Sequence, residues 1–111
     1  MSILETDNMD GIAVSPDGKK ISLLIMDPLE WNALSKIKEK DHLELLMKKL
    51  NVYAYFLDHK QYQNKYPNAD HEEAEIEINF RYKPSDKCLA MLNGVGKKLA
   101  EKRTWLKVVV G

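Results

Sequence analysis

The chain has 111 residues, of which 44% are hydrophobic and 31% are charged, and its formal net charge is zero. These totals are typical of one soluble domain with a hydrophobic core, and they argue against a disordered chain or a membrane span. The single cysteine, Cys88, excludes an intrachain disulfide and favours a reducing compartment. The first ten residues carry three acidic and no basic side chains, so we expect no signal peptide and a cytoplasmic protein.

The charges are unevenly distributed along the chain. Residues 1–80 hold nine Lys or Arg and fifteen Asp or Glu, whereas residues 81–111 hold eight and two. The acidic part could bind a basic partner, and the basic part could bind nucleic acid or another anion. The simpler alternative, which we favour, is that the two parts lie side by side in the fold and neutralise each other.

The first elements predicted along the chain are a lead-in and a β-hairpin. Residues 1–10 show no periodicity, and we expect them to be extended or loosely docked. Strands at 11–15 and 20–27 flank the turn Pro16-Asp17-Gly18, in which glycine supplies a positive φ. The second strand is apolar at nearly every position, which predicts a central strand covered on both faces.

A connection over residues 29–40 precedes the clearest helix of the sequence. Trp31, Leu34 and Ile37 are three residues apart, which predicts a short helical turn packed on the core. The helix itself is predicted over residues 41–60 from apolar residues at steps of three and four. These residues are Leu43, Leu46, Leu50, Tyr53 and Leu57.

The start of this helix carries a possible reciprocal cap. Asp41 and Glu44 are spaced so that each side chain accepts a backbone N–H that the first turn leaves unpaired. We therefore predict that the helix begins at Asp41.

The second half of the chain contains a loop, a strand, a helix and a final strand. Residues 61–73 are polar and read as a loop, and residues 73–82 alternate strictly between polar and apolar. Ser85 is the predicted N-cap of a second helix. Its apolar face consists of Cys88, Met91, Leu92, Val95 and Leu99, and the last strand is Trp105–Val110.

The predicted fold is a single α+β domain over residues 1–111 with the order ββαβαβ. The first two strands are joined by a short turn and are expected to be antiparallel, whereas a helix joins the last two and favours a parallel, right-handed crossover. This arrangement gives a mixed four-stranded sheet with two main helices packed on one face.

The stretch LNGVGKKLAEKR resembles a helix-hairpin-helix motif. In that motif a Gly-hydrophobic-Gly turn, here Gly94-Val95-Gly96, presents backbone N–H groups to a DNA phosphate. Lys97 and Lys98 would add positive charge. The residue before the first glycine is Asn93 rather than the usual proline. A single helix that tolerates two glycines is the alternative, and we favour it.

Two further sets of residues are candidates for a site. Asp27, Trp31 and His42 bracket the connection before the long helix, and they would meet near the carboxyl end of the second strand if that connection folds over the first turn of the helix. The alternative, which we favour, is that His42 only forms a hydrogen bond with the loop. Cys88 lies in the first turn of the second helix, where the helix dipole could activate it, but a core role is favoured because no base is paired with it.

Nearly the whole chain resembles a family of small uncharacterised bacterial proteins, a domain of unknown function, although the individual motifs are short. The resemblance rests on ETDNMDGI, LLIMD and HLELLMKKLNVYAYF, together with the YP and alternating strand that follow. The matching residues are Asp27, Trp31, His42, Leu43, Leu45, Leu46, Lys49, Asn51 and Tyr53. The connection between Trp31 and His42 is longer here than in the family. The resemblance implies a small cytoplasmic α+β domain without established activity and a continuous second helix.

The sequence shows no catalytic triad, metal cluster or glycine-rich cofactor loop, which disfavours an enzyme and gives no reason to expect a metal or cofactor. We expect a non-catalytic intracellular protein-binding module, of the kind that neutralises a partner toxin as an immunity protein. The acidic surface expected to bind the partner consists of Asp70, Glu72, Glu73, Glu75 and Glu77. DNA binding through Gly94, Gly96, Lys97 and Lys98 is the first alternative. A small enzyme using His42 and Asp27 is the second.

Overall fold

Four strands and two helices form a two-layer α+β fold in the computed structural model, which describes residues 3–6, 8–32 and 35–111. The elements, in chain order, are β1 (Gly11–Val14), β2 (Lys20–Asp27), α1 (Glu39–Asp58), a short 3₁₀ helix (Gln61–Asn64), β3 (Glu73–Phe80), α2 (Asp86–Ala100) and β4 (Thr104–Val110). This order confirms the predicted ββαβαβ arrangement.

The strands lie in the order β1-β2-β3-β4, the same order as in the chain. β1 pairs antiparallel with β2, whereas β2 and β3, and β3 and β4, pair parallel. Parallel neighbours need a crossover connection, and α1 and α2 supply one each. The sheet is therefore mixed, as predicted, with β1 and β4 at its edges.

Both helices cover one face of the sheet and share a single core. The core residues are Ile21, Leu23 and Ile25 of β2, Ala74, Ile76, Ile78 and Phe80 of β3, Leu46, Leu50, Tyr53 and Leu57 of α1, and Cys88 and Leu92 of α2. On the opposite face of β2, Ser22 and Leu24 are half-buried and Met26 is exposed. The prediction that β2 is covered on both faces is therefore wrong, because both helices lie on the same side.

The start of α1 differs from the prediction. The helix begins at Glu39, and the N-cap residue Lys38 makes no side-chain capping hydrogen bond. The predicted cap by Asp41 and Glu44 is wrong, since both residues lie inside the helix. Asp41 remains in the first turn, where a carboxylate interacts favourably with the positive end of the helix dipole. Leu43, predicted for the apolar stripe, is only partly buried.

The described part of the connection between β2 and α1, residues 28–32 and 35–38, does not form the predicted helical turn. Asn32 and residues 35–37 form bends. Leu34, which contributed to that prediction, lies outside the described residues. No helix among the described residues has both the length and the apolar character that crossing a bilayer requires.

The described part of the lead-in is attached to the sheet rather than loose. Ile3 is fully buried, and its N–H donates to the carbonyl of Met26 at 2.8 Å. Asp10 accepts the N–H of Met26 on its carboxylate, also at 2.8 Å. These bonds hold the lead-in against the end of β2.

α2 is one continuous helix through both glycines. Ser85 caps it as predicted, its hydroxyl oxygen accepting the N–H of Cys88 at 3.2 Å. The predicted alternative of a hairpin at Gly94-Val95-Gly96 is wrong as a description of the backbone. Apolar side chains on either side of the glycines pack against the same core, which one continuous helix allows.

Gly94 offers a direct test of this continuity. A Cβ built at Gly94 meets nothing within 4 Å, so Gly94→Ala should raise the free energy of unfolding by about 1 kcal/mol through helix propensity alone. Chemical denaturation measures the change. Gly18→Ala is the contrasting variant and should be destabilising, because Gly18 has a φ of +72° and its Cβ would lie 3.1 Å from Ala69 Cα. A loss of stability in Gly94→Ala would contradict a continuous helix.

Candidate functional site

Asp27 and His42 meet at the carboxyl end of β2. Asp27 is the last residue of that strand, and His42 is the fourth residue of α1. His42 Nε2 lies 2.7 Å from Asp27 Oδ2, and both side chains are at most 1% exposed. The other carboxylate oxygen of Asp27 accepts the N–H of Leu29 at 3.1 Å, which orients the group. The structure thus brings these two predicted site residues into direct contact.

Trp31 covers the histidine. Its ring stacks on the His42 ring with centroids 3.4 Å apart and an interplanar angle of 12°. The indole also packs edge-on against Phe80, with centroids 6.1 Å apart. Two nitrogens in this stack, Trp31 Nε1 and His42 Nδ1, are buried and have no hydrogen-bond partner among the residues that the structure describes. All three residues of the predicted cluster therefore form one unit.

A pocket of about 530 Å³ adjoins this unit on the side of the connection. It is lined by Trp31 and by mostly polar residues from 30–32 and 35–39. Trp31 belongs to the lining, whereas Asp27 and His42 lie behind it. A general base must reach the proton that it abstracts, and His42 is separated from solvent by the indole. This geometry suits a structural or binding role better than proton transfer to a freely diffusing substrate.

A second buried polar cluster lies further along α1. Lys49 Nζ is 2.7 Å from Asp10 Oδ1, with neither side chain exposed, and it also donates to the carbonyl of Glu5 at 2.9 Å. One turn later, the Tyr53 hydroxyl donates to the carbonyl of Leu24 at 2.5 Å and accepts the N–H of Asp10 at 3.0 Å. Burial raises the pKa of the Tyr53 hydroxyl, so this group remains a donor. The cluster joins the lead-in, α1 and β2.

Sequence reasoning missed the pairing of Lys49 with Asp10. A signal was present, because Lys49 lies between Leu46 and Tyr53 on the apolar face of the helix, where a lysine is unusual unless it is paired. The sequence did not identify its partner, which lies 39 residues away.

Comparison with protein families assigns nearly the whole chain to one group. A family profile described as "Family of unknown function (DUF6572)" matches residues 1–110. The chain belongs to this family. Comparison with curated proteins and with solved structures found no match to this chain. The resemblance seen in the sequence is thus confirmed at the level of an uncharacterised domain family.

The acidic surface of this DUF6572 chain is largely paired with cations. Asp70 contacts Lys60 and Glu72 contacts Lys19, while Glu73 and Glu77 lie 3.8 and 3.6 Å from Arg103 and Lys107 respectively. Glu75 has no ion pair among the residues that the structure describes. The last two contacts, and a third between Lys102 and Asp58, join the basic part of the chain to the acidic part. This local neutralisation lowers the net charge of the surface, and its role in partner binding stays a prediction.

The basic residues proposed for DNA lie on α2 without the hairpin. Lys97 and Lys98 occupy its last turn. Contact of these residues with nucleic acid stays a prediction. The helix-hairpin-helix turn that suggested it is not formed, because α2 is continuous.

An apolar groove of about 430 Å³ lies between β4 and α2 in the DUF6572 fold. We call it the β4–α2 groove, and its lining residues are Leu89, Leu92, Asn93, Gly96, Lys97, Ala100, Trp105, Leu106 and Val108. It lies beside the free edge of the sheet, so it is open to an approaching chain.

Cys88 is a core residue. Its side chain is fully buried. Burial, reinforced by the charges of Asp27 and Glu39, raises the pKa of the Cys88 thiol to about 12. The helix start therefore does not activate it as a nucleophile. In the described part of the chain, no three His, Cys, Asp or Glu residues are grouped so that they could hold a metal ion.

Breaking the buried ion pair should be costly. Lys49→Met leaves the Asp10 carboxylate buried without its cation and should lower the free energy of unfolding by about 3–5 kcal/mol. Adding Asp10→Asn should recover part of this loss, giving a coupling energy in a double-mutant cycle measured by denaturation. Lys102→Met is the control, because its pair with Asp58 is solvent-exposed and should contribute less than about 1 kcal/mol. Equal effects of Lys49→Met and Lys102→Met would contradict the buried pair.

Cys88 should react with a disulfide reagent only when the chain unfolds, because the reactive species is the thiolate. The reaction rate, followed in increasing denaturant, should rise with the unfolded fraction. The raised pKa stabilises the folded chain fully below the ordinary thiol value of 9.0, and this contribution should be lost as the pH rises toward about 12. Rapid labelling of the native chain would contradict the burial of this side chain.

Proposed function

We propose that this chain is a non-catalytic protein-binding module that docks its partner on the β4–α2 groove and the free edge of β4. The supporting observation is a concentration of exposed apolar side chains at that edge. Leu89, Trp105, Val108 and Val110 are 38%, 45%, 39% and 49% exposed. Contiguous exposed apolar surface on a small domain typically marks an interaction site.

The backbone of β4 adds a second reason. The carbonyl of Arg103 accepts from Ala74, and the N–H of Gly111 donates to Phe80. In a parallel ladder the backbone groups of alternate residues point to the same neighbour. Odd-numbered residues of β4 therefore face β3, while Leu106 and Val108 direct their N–H and C=O groups to the free edge. An extended segment of a partner can pair with these groups by adding a strand.

The charge at the groove favours an acidic segment as the partner. Lys97 lines the groove and Lys98 lies next to it in the last turn of α2. Neither lysine makes an ion pair within the described part of the chain. A carboxylate on the incoming strand would compensate these charges, whereas a second copy of this chain would bring basic ends together. We therefore take the occupant to be an extended, acidic segment of another protein.

A bacterial, cytoplasmic immunity protein is the narrower form of this proposal. The small size and the free Cys88 are compatible with it, and its partner would then be a toxin. It predicts that co-expression of this chain restores growth to cells that express the partner.

Site-specific photocrosslinking in the native cell can identify the partner. A photoreactive side chain at Val108 should capture a distinct protein that the same probe at Tyr55, exposed on α1, does not capture. Affinity for the purified partner should then fall by at least about tenfold in Val108→Pro, because proline removes an edge N–H.

Two matched variants show whether a loss of affinity in Val108→Pro comes from the missing edge hydrogen bond or from unfolding. Val108→Thr keeps the N–H and should retain binding, whereas Val109→Pro breaks the ladder to β3 and should destabilise the fold. Unchanged affinity in a folded Val108→Pro variant would contradict the proposal. If the probe at position 108 crosslinks only to a second copy of this chain, the surface serves self-association and the proposed partner is wrong.

A further inference from the structure

One stripe of α2 lines the β4–α2 groove. Its members Leu89, Leu92, Gly96 and Ala100 follow one another at steps of three and four, which places them on the same side of a helix. Their side chains decrease in size toward the C-terminal end of α2. The stripe therefore presents leucine side chains at one end of the groove and only a hydrogen atom or a methyl group at the other.

Gly96 leaves a space that the fold does not require. A Cβ built at Gly96 would lie 3.8 Å from both Cβ and Cδ2 of Leu106, which is ordinary van der Waals contact. Alanine would fit there and is the better helix former by about 1 kcal/mol. Packing within the domain therefore does not call for a glycine at this position, and the missing side chain leaves room in the groove beside Leu106.

A partner strand on the β4 edge would place one of its side chains over this room. Leu106 and Val108 pair with buried residues of β3, so their side chains lie on the helix side of the sheet. A strand added beside them presents every second residue to that side, at intervals of about 7 Å. Because residues 101–103 reverse the chain, α2 runs back along β4. The partner residue beside Leu106 then faces Gly96, and the one beside Val108 lies toward Leu89.

We propose that the β4–α2 groove selects partner segments by one large apolar residue, leucine or an aromatic residue, placed beside Leu106, with an acidic residue within two positions of it. The apolar side chain fills the room at Gly96. The acidic side chain pairs with Lys97, which also lines the groove and makes no ion pair among the described residues. The groove volume of about 430 Å³ lies within the range of about 300–1,000 Å³ that binding pockets have. This inference rests on the proposed function, because it requires a strand paired with β4.

Peptide display on the full chain tests the selection before the natural partner is known. A phage library of random peptides is selected on the immobilised protein, and dissociation constants of the enriched peptides are measured by fluorescence anisotropy. We expect the enriched sequences to share a leucine or aromatic residue with an aspartate or glutamate within two positions. Changing that apolar residue to alanine should weaken binding by at least about tenfold, because burial of one large side chain is lost.

Gly96→Leu tests the space directly, because its side chain would occupy the groove. It should weaken binding of the enriched peptides by at least about tenfold, and the alanine-substituted peptide should bind this variant no more weakly than its parent does. Gly94→Leu is the matched control, since it gains the same helix propensity. Gly94 does not line the groove and a Cβ there meets nothing within 4 Å, so its affinity should not change. Circular dichroism confirms that both variants are folded.

The outcomes distinguish this inference from the docking proposal. If a folded Val108→Pro variant loses the enriched peptides but Gly96→Leu binds them unchanged, the β4 edge is used and the selection at Gly96 is wrong. Enriched peptides that share no large apolar residue would also overturn the selection alone. If no peptide is enriched although the probe at position 108 captures a partner, the selection is again wrong. If Val108→Pro retains every enriched peptide, the docking proposal is wrong and this inference fails with it.

Discussion

The fold depends on three polar side chains that α1 places on its buried face. His42, Lys49 and Tyr53 lie on the side of the helix that packs against β2, and each contacts a polar group outside the helix: the Asp27 carboxylate, the Asp10 carboxylate and the Leu24 carbonyl respectively. Leaving a buried charge unpaired costs about 3–5 kcal/mol. That is a large share of the roughly 5–15 kcal/mol by which a domain is stable. Apolar contacts alone tolerate small shifts between a helix and a sheet, but these three bonds specify the orientation and register of α1.

The same contacts explain why the lead-in belongs to the domain. Asp10 binds Lys49 with one carboxylate oxygen and the backbone of Met26 with the other. It thereby binds a buried cation and also accepts the N–H of Met26, which lies past the end of the β1–β2 ladder. At the other end of the helix face, the pairing of His42 with Asp27 fixes the first turn of α1 against the end of β2. Trp31 stacks over this pair and separates it from solvent.

Local sequence patterns predicted the elements well, because periodicity reports which face of each element is buried. The alternation in β3, the stripe on α1 and the Ser85 cap all lie within short windows of sequence. The misses involve long-range contacts or competing signals. The partner of Lys49 and the cations beside Glu73 and Glu77 come from distant parts of the chain. The start of α1 was misplaced because Asp41 and Glu44 match a capping pattern that the helix does not use. The cluster of Asp27, Trp31 and His42 was predictable because all three bracket one connection.

Strand order in this sheet is identical to chain order, and this has a consequence for biosynthesis. Chains are synthesised from the N-terminus, and folding can begin before synthesis ends. Each strand of this sheet can join the edge left by the strand before it, so no finished pair has to open for a later insertion. Every intermediate on that route exposes an unpaired edge that the next strand covers. β4 joins last, so no further strand of the sheet covers its outer edge, and the folded domain keeps there the kind of open backbone edge on which each earlier strand was added.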